Sequence, residues 1–192
     1  SKSWVRVTWT MDDPNGYVAG LGAELNLHVQ GEPTLVDFGA GTLVYAQLRK
    51  GKSAQLRAGS LGRTADAARP AWMTLLGDRN QLSPYVIAPP RRNVAPAEGW
   101  AHVMDRERCT AIAMAGFAEA GQESAIQIDA DGRLVLRRTL AREDLPVPRG
   151  LKQLTFWLHF VPLPVQVGAA TSPQAMLAPL RVAVKPLEQD RR

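Results

Sequence analysis

The stretch from Trp72 to Trp100 brings together the residue types that a site for a polar ligand needs. Aromatic rings stack on flat ligands, guanidinium groups pair with carboxylates, and amides bond hydroxyl groups. We expect irregular backbone here, and binding residues concentrate on such backbone. The alternative is that the rings are buried only to order a long loop. The candidate ligand-binding residues are Trp72, Arg79, Asn80, Tyr85, Arg91, Arg92 and Trp100.

Three further candidates lie on predicted strands. On the segment 153–161, Trp157 and His159 share one face, because successive side chains of a strand alternate. An exposed Trp there would be a stacking platform for a pyranose ring or a base, whereas a buried one would belong to a second core layer. His102 is the third candidate. The histidines at 28, 102 and 159 are too dispersed for a metal site to be identified from their spacing.

A polar strand face is another place where sugar hydroxyls could bind. The segment 23–30 alternates without a fault, so one face carries a carboxylate, two amides and an imidazole at two-residue spacing. The other interpretation is the solvated outer face of an antiparallel sheet. The residues of this face are Glu24, Asn26, His28 and Gln30.

Familiar catalytic and cofactor motifs are absent from the sequence. It contains no Walker-type glycine loop, dinucleotide fingerprint, nucleophile elbow or zinc-ligand spacing. We therefore expect neither a cofactor nor a metal ion. The single cysteine, Cys109, is followed by small apolar residues, so we expect a buried structural thiol and not a nucleophile.

The charge composition is compatible with an acidic partner, either an acidic oligo- or polysaccharide or a nucleic acid. The net charge is +5, and 18 of the 23 basic residues are Arg, which captures carboxylate and phosphate groups in bidentate pairs. The alternative is a bacterial-like, high-GC composition with a solvated surface. Nucleic acid ranks last among the partners because the Arg residues are scattered and no recognition motif accompanies them. The longest apolar run is too short to span a membrane, so we expect a soluble protein.

The periodicity predicts an all-β fold. Short alternating segments recur at spacings of about ten residues, and no segment makes a long helix. Strands without helices bury their apolar faces by packing one sheet on another. We therefore expect one antiparallel β-sandwich domain over 1–192 with a long loop over 59–99. An Asp-Gly pair at 131–132 predicts a hairpin. The predicted strands are 4–10, 23–30, 34–38, 42–48, 54–58, 100–104, 110–114, 126–128, 133–136, 153–161 and 180–184.

Two stretches of the sequence resemble a known fold. Residues 99–105 read Gly-Trp-Ala-His-Val-Met-Asp, and the apolar strand 110–114 and the Asp-Gly hairpin to Leu136-Arg137 follow. This order resembles the galactose-mutarotase-like supersandwich domain, which occurs in carbohydrate-active enzymes such as polysaccharide lyases of the exo-rhamnogalacturonan lyase type. The resemblance implies a sandwich portion of a larger enzyme or a stand-alone relative. It assigns no catalytic residue.

A carbohydrate-active domain would act on uronate-containing glycans and would be secreted or periplasmic. Arg79, Arg91 or Arg92 would hold the uronate carboxylate, and a Trp would stack on a sugar face. A lyase also needs a base for the proton next to the carboxylate; the candidates by type are His28, His102, His159 and Tyr85. A carboxylate pair for hydrolysis could come from Asp78, Asp105 and Glu107.

The competing hypothesis is a non-catalytic accessory sandwich that docks on a protein partner through the 59–99 loop. Such a loop should expose an apolar patch of several hundred square ångströms around Trp72, Leu75, Leu76, Tyr85 and Val86. A sugar site should instead be concave, with polar groups that converge beside one exposed ring.

Overall fold

A computed structural model describes residues 4–40, 43–59, 72–87, 96–119, 121–140 and 147–162. Within these residues the chain forms antiparallel strands and no helix. The predicted all-β sandwich is confirmed. The strands are β1 (Trp4–Asp13), β2 (Gly20–Asn26), β3 (Thr34–Gly39), β4 (Leu43–Leu48), β5 (Lys52–Gly59), β6 (Trp72–Asp78), β7 (Gln81–Ile87), β8 (Trp100–Met104), β9 (Arg108–Met114), β10 (Glu123–Asp129), β11 (Arg133–Thr139) and β12 (Gly150–Pro162).

The strands form two six-stranded sheets. Sheet A has the order β1-β12-β9-β8-β3-β4, and sheet B has the order β2-β11-β10-β5-β6-β7. Because the strands alternate, each sheet turns one apolar face towards the other. Burying a large apolar side chain stabilises a fold by about 1.5–3 kcal/mol. The fully buried side chains include Phe38, Ile112, Met114 and Leu154 of sheet A and Leu56, Ile126, Leu134 and Leu136 of sheet B.

The Asp-Gly hairpin is confirmed at the turn between β10 and β11. Ile126 pairs with Leu136 across these strands. Gly132 has a φ of +84°, a conformation that L side chains rarely adopt, and its N–H donates to the carbonyl of Asp129. Glycine at this position therefore permits the reversal that the sequence pattern predicted.

The prediction of a long loop over 59–99 is wrong for residues 72–87. These residues form a hairpin of β6 and β7 that turns at Arg79 and Asn80. Gly77 and Pro84 interrupt the strand pattern in the sequence, and the pairing shifts register between Thr74 and Leu75. Pro84 is tolerated because β7 is the last strand of sheet B, where a missing N–H breaks no central ladder.

The strand predicted over 23–30 ends earlier, at Asn26. His28 has a φ of +49°, which takes the backbone out of the strand conformation. The Arg108 guanidinium donates to the carbonyls of Leu27 and His28, so the side chain of another strand satisfies these groups. The predicted strand 180–184 lies outside the described residues. Among the described residues, no helix is long and apolar enough to cross a membrane.

Candidate functional site

The outer face of sheet A brings four of the predicted site residues together. Alternate residues of β8, β9 and β12 point away from sheet B, and the strand register places them in two rows. The Trp row contains Trp157, Ala113 and Trp100, with Ala113 opposite both rings. The His row contains His159, Ala111 and His102 in the same arrangement.

The β12 members of these rows are buried, although they lie on an outer face. Trp157 is 5% exposed and His159 is 4% exposed. The guanidinium carbon of Arg6 on β1 lies 5.7 Å from the centre of the Trp157 ring, within cation–π range. Trp157 and His159 therefore match the core interpretation, and Trp157 is not an open stacking platform.

Trp100 is only partly buried, and its indole ring packs closely against Gly39 of β3. A Cβ atom on Gly39, the residue opposite it, would come within 2.1 Å of the indole ring atoms Cε2 and Nε1. Only glycine leaves space for the ring in this place. The indole N–H donates to the carboxylate of Glu98. The ring is thus held in position by its packing on Gly39 and by its hydrogen bond to Glu98.

A carboxylate–imidazole pair lies beside this ring. Nδ1 of His102 lies 2.9 Å from Oδ1 of Asp37, and the backbone N–H of His102 donates to the same oxygen at 3.1 Å. The His102 and Trp100 ring centres are 5.1 Å apart, with the planes tilted by 54°. When Nδ1 donates to Asp37, the neutral imidazole has its lone pair on Nε2. The pair can therefore accept a hydrogen bond or a proton from a ligand.

Tyr45 completes the site on β4. It lies directly opposite Asp37 in the strand register and is 43% exposed. The Gln47 amide donates to its hydroxyl at 3.3 Å. We call the cluster of Asp37, Tyr45, Glu98, Trp100 and His102 the Trp100 site. It presents the Trp100 ring with Glu98 at its N–H and His102 beside it, and the same face continues through Asp37 to the phenol of Tyr45.

The remaining predicted residues lie elsewhere. Trp72 is 4% exposed and belongs to the core. Arg79 pairs with Asp129 at 2.8 Å and with Asp131 at the β10–β11 turn. Asn80 and Tyr85 are exposed on sheet B, at the β6–β7 turn and on β7. The structure does not gather these residues with Trp100 into one rim. Arg91 and Arg92 lie outside the described residues.

On the polar face predicted for β2, Glu24 is paired with an arginine of the neighbouring strand β11. Both carboxylate oxygens of Glu24 accept hydrogen bonds from the Arg133 guanidinium at 2.7 Å. That bidentate pair lowers the pKa of Glu24 from its ordinary value. Asn26 caps the end of the strand by accepting the N–H of His28. This arrangement matches a solvated sheet face.

Sequence reasoning found Trp100 and His102 but missed their partners. Asp37 lies on a predicted strand, where it is the polar residue between Val36 and Phe38, and that is the only signal for it. Its pairing with His102 joins strands far apart in the sequence. Cys109 is buried as expected, and its desolvation raises the pKa of the thiol to about 11.

The chain was compared with known proteins. No family model, curated protein or solved structure matches it. The resemblance to the supersandwich domain stays a prediction. Among the described residues, no group of three or more His, Cys, Asp or Glu side chains is arranged to hold a metal ion.

Proposed function

We propose that this chain is a carbohydrate-binding β-sandwich domain and that the Trp100 site holds a sugar ring. The observation that supports this proposal is the indole of Trp100, which lies against Gly39 beside the Asp37–His102 pair. Sugar sites combine an aromatic ring, which packs on the C–H face of the sugar, with planar polar groups that bond its hydroxyls.

Each member of the Trp100 site has a role in this proposal. The ring of Trp100 is already fixed by Gly39 and Glu98, so little conformational entropy is lost when a sugar stacks on it. Carboxylate oxygens of Asp37 and Glu98 accept bonds from hydroxyls. Nε2 of His102 accepts a further one, and the exposed Tyr45 hydroxyl both donates and accepts.

The Trp100 site holds two carboxylates and no arginine, so a uronate would have to bind with its own carboxylate turned to solvent, away from Asp37 and Glu98. A uronate bound in this way would make elimination possible. Nε2 of His102 would take the proton next to the uronate carboxylate, a C–C double bond would form, and the glycosidic oxygen would leave with the bonding electrons and take a proton from solvent. Asp37 would stabilise the imidazolium that results. The lyase activity is the finer part of this proposal and is tested separately below.

The test is calorimetric titration with a panel of neutral and uronate-containing oligosaccharides. We expect saturable binding that weakens about tenfold or more in Trp100→Ala, because a stacked ring contributes beyond its buried area. Tyr85→Ala, which removes an exposed ring on sheet B, is the matched control and should bind like the wild type. Absence of heat with every glycan, or full binding by Trp100→Ala, would overturn the proposal.

The same samples test for elimination. The unsaturated product absorbs in the ultraviolet, so a lyase gives rising absorbance with uronate glycans. His102→Ala and Asp37→Asn should abolish this rise. Glycan binding should weaken, because each variant removes an acceptor for a sugar hydroxyl, but it should stay saturable because the Trp100 ring is still present. Binding without any absorbance change would leave a carbohydrate-binding domain and remove the lyase.

The second candidate function is that of an accessory sandwich docked on a protein. It is favoured by the exposed apolar side chains of the edge strands, in particular Tyr85 at 53% and Ile87 at 52% on β7 and Val5 at 52% on β1. Strand edges with exposed apolar residues are common contact surfaces. If Tyr85→Asp and Ile87→Asp leave glycan binding intact but abolish association with a partner, both functions operate on different sheets.

A further inference from the structure

The strand β1 is the sheet edge with the least protection against a further strand. Within the described residues, the two sheets end in β1 and β4 and in β2 and β7. β7 contains Pro84 and a register shift, β2 contains Gly20 and Gly22, and β4 has only six residues. Such features weaken or block pairing at an edge. By contrast, β1 has ten residues without proline or glycine, and all ten pair with β12 in one unbroken register.

Large apolar side chains of β1 remain partly exposed. The exposed fraction is 39% for Trp4, 52% for Val5 and 43% for Trp9. Val5 and Trp9 lie opposite Leu158 and Leu154, so they point to the core side of sheet A. Sheet B covers them only in part, because its edge strand β2 contacts β12, the neighbour of β1. A second chain can therefore reach both the backbone edge of β1 and these side chains.

Two exposed residues of opposite charge lie on the outer side of β1. Arg6 and Asp12 are six positions apart, so they share one face of the strand. Neither of them forms an ion pair with another described residue. An antiparallel strand of the same sequence runs in the reverse direction, so it can bring its anion to the cation of the first copy and its cation to the anion.

Symmetry restricts how a second copy can pair with β1. Two antiparallel strands related by a two-fold axis keep the same faces together, so the numbers of opposite residues must add up to an even number. The longest overlaps of this kind pair residues 4–12 with themselves or residues 5–13 with themselves, and each contains nine positions. In the overlap of 5–13, Arg6 of one copy lies opposite Asp12 of the other. The overlap of 4–12 places Asp12 opposite Trp4 and leaves both charges unpaired.

We propose that the β1 edge binds a second copy of this chain through an antiparallel β1–β1 pair, with the two Trp9 side chains opposite each other. The dimer gains two pairs of opposite charge, because Arg6 of each copy faces Asp12 of the other. The other opposite residues are Val7 with Met11 and Thr8 with Thr10. Hydrogen bonds of the strand pair satisfy the N–H and C=O groups of both edges. This inference depends neither on the Trp100 site nor on a different protein as partner.

The first test is sedimentation velocity of the intact chain at concentrations from about 1 to about 300 μM, without any glycan. A single strand pair buries less surface than a standard protein interface does. We therefore expect a reversible dimer with a dissociation constant of about 1–100 μM. A monomer over the whole concentration range would overturn the inference, because the edge would then belong to another occupant or to none.

Charge reversal tests the pairing of Arg6 with Asp12. Arg6→Glu and Asp12→Lys each place like charges opposite each other twice in the dimer, so either variant alone should dimerise about tenfold more weakly or worse. Both side chains are exposed, so neither change should disturb folding. In an equimolar mixture opposite charges meet again, and a mixed dimer should form with nearly the wild-type affinity. The matched control is Lys50→Glu, an exposed reversal at the β4–β5 turn, which should dimerise like the wild type.

Cysteine variants test which residue lies at the two-fold axis. In Trp9→Cys the two Cα atoms would be about 4.5–5.5 Å apart, within reach of a disulfide. In Val5→Cys, the matched control on the same strand face, the two positions would be about 27 Å apart along the strand. Mild oxidation should therefore produce a covalent dimer of Trp9→Cys only. Cys109 is buried and should not take part.

Two results with these variants would also overturn the inference. One is a mixture of Arg6→Glu and Asp12→Lys that dimerises no more tightly than either variant alone. The other is cross-linking of Val5→Cys as readily as Trp9→Cys, because the two-fold axis would then not lie at Trp9. The mixing experiment leaves Trp9 unchanged, so its result stands even if Trp9→Cys does not fold.

Discussion

Gly39→Ala is the most direct perturbation of the Trp100 site. The added Cβ would lie 2.1 Å from two atoms of the Trp100 ring, whereas ordinary contacts begin at 3.4 Å. The ring must therefore move by more than 1 Å. Gly39 does not have a positive φ, so alanine is compatible with the backbone and the clash is the only new strain.

The expected magnitude follows from two opposing effects. Overpacking of this kind typically costs about 1–3 kcal/mol of unfolding free energy. Replacing glycine by alanine stabilises the protein by about 0.4–1 kcal/mol by restricting the unfolded chain. The net loss should be about 1–2 kcal/mol, and a domain of this size loses about 2–4 °C of Tm per kcal/mol. Glycan binding should weaken as well, because the displaced indole also loses the carboxylate of Glu98.

A double-mutant cycle with Trp100→Ala distinguishes this clash from a general effect of alanine. Without the ring, Gly39→Ala should be neutral or stabilise the protein by up to about 1 kcal/mol. Urea unfolding of the wild type, both single variants and the double variant measures the cycle. If Gly39→Ala costs the same free energy in both backgrounds, the ring does not lie over Gly39 and the geometry of the site is refuted.

Three further predictions concern other parts of the sandwich. Burial raises the pKa of the Cys109 thiol to about 11, so Cys109 should react with a thiol reagent at pH 8 only after denaturation. Rapid labelling of the native protein would contradict its burial. Burial of Asp105 raises its pKa, but three backbone N–H groups outweigh that effect and the net pKa is lowered. The ionised Asp105 carboxylate therefore stabilises the fold above its unfolded pKa of about 3.9, and this contribution disappears as the pH falls through the lowered folded pKa. Asp105→Asn should therefore make the free energy of unfolding fall less steeply at acid pH. An unchanged acid dependence would exclude this role. Ile112→Ala should cost about 2–5 kcal/mol in urea unfolding, because it leaves a cavity under the centre of sheet A; a loss below 1 kcal/mol would place the side chain outside the core.

Strong alternation allowed several strands to be predicted correctly. The predicted strand 100–104 is β8, and the Asp-Gly pair marks the β10–β11 turn. The β6–β7 hairpin was missed because Gly77 and Pro84 are residues that usually end strands. An edge position and a shift in register accommodate them, and both are properties of the sheet that a local pattern does not contain.

The candidate site was predictable only where it is local. Trp100 and His102 are two residues apart on one strand, so their common face follows from alternation. Asp37 and Tyr45 join them through the pairing of β3 with β8 and β4. Strand order within a sheet depends on packing across the whole domain, so the sequence pattern did not bring these residues together.

The pairing of β1 with β12 determines when the fold can be completed during synthesis. Asp13 pairs with Gly150 and Trp4 with His159, so about 140 residues or more separate the partners. At typical elongation rates a ribosome needs about 7–30 s to add that length. During this time Val5 and Trp9, which stay exposed even in the finished sheet, have no strand beside them. A nascent chain that stalls before β12 therefore carries an apolar, unpaired β1, and such a chain is a natural substrate for a chaperone.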